Sequence, residues 1–445
     1  IGARSGPQDP NPSVDEVRER VLERVEKSLE QVRTRLRAGV PGEGRADEAV
    51  DSLRAGLRRA VRETLRGPRD AEPERPRYGG RTGDRRRARV EEGGFGADRA
   101  ADRALDWLAR HQGADGRWAA ANFSENCKGT PCGDPGDPLH DVGVTGLAVL
   151  AFLGDGSGTT GGPHAFVVAK GVRWLLSQQD ASSGLIGVGA GERFLYGHAI
   201  ATLALAEACV LSPSEELREA LARAAALIQR ARNPIGAWRY QVPPDGDSDS
   251  SVTGWMLLAL RATADAGVAV DQASVEGGLT FLEQATDPVS GRCGYRERGD
   301  RSYRPPGSGA RFPADRTEAN TALALFARFL HGKIGRGGPL LERQSELLRK
   351  SAPTWETTPK RCLIDEIHWY FGTLAAFQVG GEDWESWNFR MKKALLENQK
   401  RDGEAAGSWD PLGPWGSAGG RVAMTALCAM CLEVYHRYGR VARAR

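Results

Sequence analysis

Six short segments of small residues and Leu recur along the chain: Thr145-Gly146-Leu147-Ala148, Ala201-Thr202-Leu203-Ala204, Thr253-Gly254-Trp255-Met256, Thr321-Ala322-Leu323-Ala324, Gly372-Thr373-Leu374-Ala375 and Thr425-Ala426-Leu427-Cys428. Their first residues stand 51 to 68 positions apart, a period that suits one helical hairpin per repeat. Such a unit cannot bury its apolar face alone, so neighbours must stack on one another, and 445 residues can then form one large domain rather than several cores. The third copy is led by Asp247-Ser248-Asp249-Ser250-Ser251, an acidic loop entering an apolar helix, and chemistry is expected there first.

Composition divides the chain. All eleven Trp and all seven Cys lie after residue 100, whereas the first 95 residues are dominated by Arg, Glu, Asp, Pro and Gly. Within 1–66, Val14, Val17, Val21, Val25, Leu29, Val32 and Leu36 predict one amphipathic helix, and Val50, Leu53, Leu57, Val61 and Leu65 a second. This charged pair is expected to dock on a protein partner or to self-associate through residues 13–66. Residues 67–95, rich in Arg, Pro and Gly, are expected to be a disordered basic linker. A net charge of +3 is too small to argue for nucleic acid. The odd cysteine count argues against a disulfide framework, and only Cys127 and Cys132, bracketing Lys-Gly-Thr-Pro, are spaced to pair. No secretory signal and no apolar run of membrane-spanning length is expected, which favours a cytoplasmic or membrane-peripheral setting. The start at Ile1 leaves a preceding segment open.

From 96 to 445 each repeat reads as a polar outer helix, a Gly-containing loop and an inner helix of small and apolar residues. Outer helices are expected over 98–112, 164–179, 214–232, 272–285, 339–350 and 384–399. Inner helices are expected to start near Asp141, Gly197, Ser250, Thr317, Glu366 and Arg421, apolar on all sides as a buried inner ring requires. Six such hairpins predict an all-α fold, an α/α toroid in which the last hairpin packs on the first.

Arg103-Ala104-Leu105-Asp106-Trp107-Leu108 followed by Gln112 and Gly116-Arg117-Trp118 resembles the QW motif of terpenoid cyclases. Lys170-Gly171, Trp174-Leu175, Gln179 and Gly184 repeat it without the final Trp, and Gly236-Ala237-Trp238 and Phe281-Leu282 with Gly291 are weaker copies. The motif is structural: Gln bonds neighbouring helices and Trp covers them. With Ser251-Val252-Thr253-Gly254-Trp255, Trp369-Tyr370-Phe371-Gly372-Thr373 and Cys431-Leu432-Glu433-Val434-Tyr435, the region resembles prenyltransferase and squalene-oxidase repeat proteins, relatives of squalene-hopene cyclases and of protein prenyltransferase β subunits.

That resemblance implies candidate chemistry. In class II cyclases an Asp-x-Asp-Asp-Thr motif protonates an alkene; Asp247-Ser248-Asp249 is similar, with Asp249 as acid and Asp247 its supporter, and Ser250 departs from the motif. Trp255, Trp369, Tyr370 and Phe371 would face a cation. His198, Asp141, Glu318 and Asp365 stand at mouths of inner helices and complete the candidate substrate-binding set, with His140 and His368 nearby. The prenyltransferase zinc site is expected to be lacking, because Ile367 stands where a Cys thiolate belongs; no metal and no cofactor is expected. No Walker loop, His-Glu-x-x-His or Gly-x-Ser-x-Gly element is present. The expected function is a terpenoid cyclase-like protein binding and protonating an isoprenoid. The alternatives are a non-catalytic toroid that binds a ligand or partner, and an α/α-toroid glycosidase using two of Asp141, Asp249, Glu318 and Asp365.

Overall fold

The computed structural model describes Tyr78, Gly80, Arg81 and residues 95–188, 194–334 and 337–440. The chain divides into two compact units, Ile1–Arg75 and Pro76–Arg445, and the described residues all belong to the second. The two amphipathic helices expected in 1–66 lie outside the described residues.

Outer helices are α1 (Phe95–Arg110), α3 (Ala165–Ser177), α5 (Glu215–Arg230), α7 (Gln272–Gln284), α9 (Pro339–Lys350) and α11 (Gly381–Asn398). Inner helices are α2 (Asp141–Gly154), α4 (Phe194–Leu211), α6 (Ser250–Asp265), α8 (Ala319–Leu330), α10 (Glu366–Val379) and α12 (Gly416–Leu432), with a terminal turn α13 (Val434–Arg437). The six expected hairpins are therefore present, and the described residues contain no β-strand. Each inner helix packs on the next, and α12 packs on α2, so the ring is closed. Inner helices are buried on all faces, as in α2, where every residue from Gly143 to Gly154 is buried. Outer helices expose one polar face. α4 is also long and apolar enough to cross a membrane, against the expectation that no such run occurs; the ring buries 72% of that stretch.

The repeated threonines hold each loop to its inner helix. The backbone N–H of Trp118 donates to Thr145 Oγ1 (3.0 Å), that of Trp238 to Thr253 (3.2 Å), of Cys293 to Thr321 (3.1 Å) and of Trp409 to Thr425 (3.5 Å). The indole N–H of Trp118, Trp238 and Trp409 then donates to a carbonyl in the last turn of its own outer helix, satisfying a group that the helix leaves open. Gln112 Nε2 donates to Gly116 O in its loop and to Val167 O in the next outer helix. Gly116, at φ 102°, lies so close to the Lys170 carbonyl that a Cβ would collide with it, so the loop needs glycine there.

The seam uses the same parts. Gln399 Nε2 donates to Gly407 O (2.9 Å) and to Ala100 O (2.8 Å) on α1, while Arg103 grips Gln399 Oε1. This copy, Gln399 with Gly407-Ser408-Trp409, was not anticipated, because its Gln-to-Gly gap is longer than in Gln112 to Gly116.

The C-terminal ends of the inner helices are closed by a buried charge cluster. Arg81, fully buried, donates to Leu153 O (3.1 Å) and Arg437 O (2.8 Å) and pairs with Glu207 (2.8 Å). Arg437 also pairs with Glu207 (3.3 Å), and the Tyr438 hydroxyl donates to it. Burial pushes the Glu207 carboxyl up, but the two guanidinium groups and Tyr438 outweigh it and hold it below the usual value. Of the segment 67–95 expected to be a linker, Tyr78, Gly80, Arg81 and Phe95 are the described residues. Arg81 has partners in the ring that a linker reading could not foresee.

Candidate active site at the mouth of the toroid

Inner helices point their N-termini to one face, so their first-turn carboxyl groups form a circle at the mouth. Most are committed to the scaffold. Asp141 accepts from Ala120 N (2.7 Å) and Arg117 (3.2 Å). Glu318 takes a two-pronged bond from Arg292 (2.5 and 2.9 Å). Asp365 caps α10 by accepting from His368 N (3.0 Å) and pairs with Arg304 (2.7 Å). Burial alone would raise Asp365, yet Arg304 and His368 keep it below the ordinary carboxylate value.

Asp249 is fully buried and caps α6, accepting from Val252 N (2.9 Å) and Ser251 Oγ (2.6 Å). The Tyr295 hydroxyl donates to its other oxygen (3.3 Å) and is itself bonded to Tyr240. Burial pushes Asp249 above the usual carboxylate range against those three donors. Asp247 pairs instead with Arg239 and Arg296. The two are not hydrogen-bonded to each other, so Asp247 supports its loop and Asp249 its helix.

His198 is fully buried. Its Nδ1 accepts from Ile186 N (3.1 Å) and its Nε2 faces Ala224 O (3.3 Å). Burial lowers it to about 4, so it is neutral and does for its repeat what threonine does in others. Trp255 stacks on Tyr370 (6.0 Å between rings) and meets Phe371 edge-on (4.9 Å). Since α8 stands between α6 and α10 in the ring, this stack joins two inner helices that are not consecutive. Trp369 packs against Trp355.

A cavity of about 160 Å3 opens at the mouth between α2, α4, α10 and α12. Its wall is built of Val142, Leu147, Ile200, Ala423, Met424 and Leu427, with Tyr196 and Trp415 higher up. The rim carries Leu139 and Val188, apolar and 72% and 74% exposed. Gly420, at φ 62°, breaks α12 there and lets the chain turn across the opening. Of the residues singled out in the sequence, Asp249, Asp247, Trp255, Trp369, Tyr370, Phe371, His198, Asp141, Glu318 and Asp365 are all off this wall, although His140 and Ile367 are on it.

One carboxyl does face the cavity: Glu366, the first residue of α10. It is buried, and its Oε2 has no hydrogen-bond partner among the described residues. Burial, then the neighbouring Asp365 charge, push it up to about 8, so it is a neutral acid at ordinary pH. The signal was present as two adjacent acids opening an apolar helix, of which only one could be the cap.

The closed ring and its Gln and Trp seams define an α/α-toroid protein, and part of its sequence is similar to terpenoid cyclases. The family model described as squalene-hopene cyclase C-terminal domain matches residues 87–295. A squalene-hopene cyclase of Bradyrhizobium diazoefficiens is 31% identical over 212 residues, covering 44% of this chain and 30% of the relative. The chain thus aligns with under a third of that relative's length. Among solved structures, the α-1,6-mannanase GH76A of Salegentibacter sp. HEL1_6, in complex with α-1,6-mannotriose, superposes with a TM-score of 0.52 at 10% identity, over 76% of this chain and 99% of that one. The type II terpene cyclase MstE of Scytonema, in complex with geranylgeranyl dihydroxybenzoate, gives 0.50 at 15%, over 77% and 97%. At these identities the two share the fold alone.

Proposed function

We propose that this toroid takes an isoprenoid, or another apolar chain, into its mouth and presents it to the protonated carboxyl of Glu366. The observation that supports this is the pairing of an apolar wall with a single neutral acid, since a carboxyl kept protonated in apolar surroundings can donate a proton or a hydrogen bond. Size limits the occupant: an apolar cavity of about 150 Å3 takes benzene, and drug-sized sites run from about 300 Å3. About 160 Å3 therefore holds roughly one prenyl unit, and the rest of a longer chain lies along the apolar rim. Asp249 remains the second proton source, its carboxyl raised by burial but reached only past Tyr295. The apolar wall favours a hydrocarbon over a sugar, which would need polar partners.

The test is incubation with squalene and with geranylgeranyl diphosphate, reading cyclised products and, in parallel, intrinsic tryptophan fluorescence during titration with the same ligands, with Trp415→Phe to assign the response to the cavity. Saturable quenching that Ala423→Phe weakens about tenfold or more supports the cavity assignment; no quenching with any ligand refutes it. Product formation lost in Glu366→Gln assigns the acid. Binding without product in the wild type favours the non-catalytic alternative, to which the stacking of Trp255 on Tyr370 also lends weight.

A further inference from the structure

In the loop that joins α1 to α2, off the wall of the mouth cavity, three soft ligands converge. Cys127 Sγ and Cys132 Sγ are 3.2 Å apart, and His111 Nε2 is 3.4 Å from the first and 3.3 Å from the second. All three donor atoms lie within 4.8 Å of one another. A zinc ion with bonds of about 2.3 Å to sulfur and 2.0–2.1 Å to nitrogen separates tetrahedral ligand atoms by roughly 3.4–3.8 Å. Small movements of flexible side chains therefore suffice to seat the ion.

The imidazole is already oriented. His111 Nδ1 lies 2.8 Å from the Trp107 carbonyl, so Nδ1 carries the proton and Nε2 turns its lone pair toward the two sulfurs. The ring is stacked on Trp107 (4.1 Å) and bordered by Phe123, and the residue is 1% exposed. A disulfide between the two thiols would leave that buried Nε2 facing sulfurs with no proton to give it.

We infer that His111, Cys127 and Cys132 form a zinc site that fastens the loop after α1 to the ring's closing seam. Binding forms two zinc–thiolate bonds and one zinc–imidazole bond, releases the two thiol protons, and leaves the fourth position to a water, since both cysteines are only part-buried. The loop continues to Asp134 and Asp137, which meet α12: Arg421 N donates to Asp134 O (3.1 Å) and Asp137 N to Ala418 O (2.9 Å). The Arg421 guanidinium also pairs with the Asp134 carboxylate and with Asp410 (2.7 Å). Ordering Cys127 and Cys132 thus orders the strap between the first and last inner helices.

The full chain, purified under reducing conditions from zinc-supplemented medium, is to be analysed for metal and then reconstituted with cobalt. We expect about one zinc per chain, sulfur-to-cobalt charge-transfer bands, and a melting temperature that falls by several degrees with a chelator. Cys127→Ser with Cys132→Ser, and separately His111→Gln, lose the metal, while Cys209→Ser, a buried cysteine elsewhere, keeps it. The cobalt spectrum is taken on the wild type, so a variant that misfolds does not decide the matter. A wild-type chain without metal after zinc loading, or one lighter by two hydrogens with Cys127 and Cys132 joined, overturns the site; so does zinc retained in the double variant.

Discussion

Asp365 and Glu366 are adjacent in the chain and differ in charge: Arg304, at 2.7 Å, holds the first ionised, and burial with that very charge beside it holds the second neutral. Two titratable groups pushed apart in this way divide the labour of structure and proton storage.

A pH dependence of stability follows. The folded value of Glu366, about 8, exceeds its ordinary 4.5, so the folded state keeps a proton that the unfolded chain gives up. The resulting stabilisation is complete below about pH 4.5 and is lost as pH rises through about 8. Thermal unfolding of Glu366→Gln should therefore change less between pH 5 and 9 than that of the wild type. Parallel curves for the two proteins would show that Glu366 is ionised in the folded state.

Breaking the other member is costly in a different way. Arg304→Met leaves a buried carboxylate without its guanidinium, and such losses amount to about 3–5 kcal/mol. Denaturant unfolding should show a loss of that order, together with a rise in the Asp365 value measurable by carbon NMR.

Asp249 and Glu366 are separated by their behaviour on substitution. Asn can still accept from Val252 N, so Asp249→Asn should fold with little loss, while Asp249→Ala should cost about 0.5–2 kcal/mol as a missing cap does. Neither should weaken an apolar ligand in the mouth cavity, because Asp249 is not on its wall. A large drop in affinity in Asp249→Asn would place the ligand deeper, against α6.

The buried cluster under the ring fixes where the chain can be cut. Deleting residues 1–75 should preserve the melting temperature and allow a clean comparison of solution mass, which tests self-association through 13–66. Deleting 1–81 removes Arg81 and leaves Glu207 with one fewer cation, so it should lower the melting temperature sharply, as should Arg81→Met. Equal stability of all three would mean that Arg437 alone neutralises Glu207.

Six hairpins were legible because an inner helix buried on all sides must be apolar all round, and because the loops carry Gln, Gly and Trp at recognisable intervals. What escaped the sequence depended on distances across the ring. Arg81 reads as one more arginine in a basic stretch until Leu153, Glu207 and Arg437 are placed around it. Glu366 reads as half of an acidic pair until the cavity opens beside it. Trp255 and Tyr370 read as a wall for a ligand; they are buried, stack on one another and lie off the wall of the mouth cavity. Cys127 and Cys132 were seen as a pair, and the third member, His111, lies 16 and 21 residues away.

The bond from Gln399 to Ala100 joins residues 299 apart, which makes the ring a hoop with a clasp. Fastening ends that far apart costs roughly 5 kcal/mol of chain entropy, growing only with the logarithm of the separation. An open stack of hairpins never meets that charge and can melt one unit at a time, whereas a hoop gains its last interface only when every unit is present. The stretch shared with the cyclase family, 87–295, takes in α1 to α7 and is an arc. Cut out alone, it would show two raw apolar edges, one along α2 where α12 belongs and one along α6 where α8 belongs. Refolding should accordingly be slow in its final step and prone to joining the clasp of one chain to the free edge of another, an outcome that dilution suppresses and concentration favours.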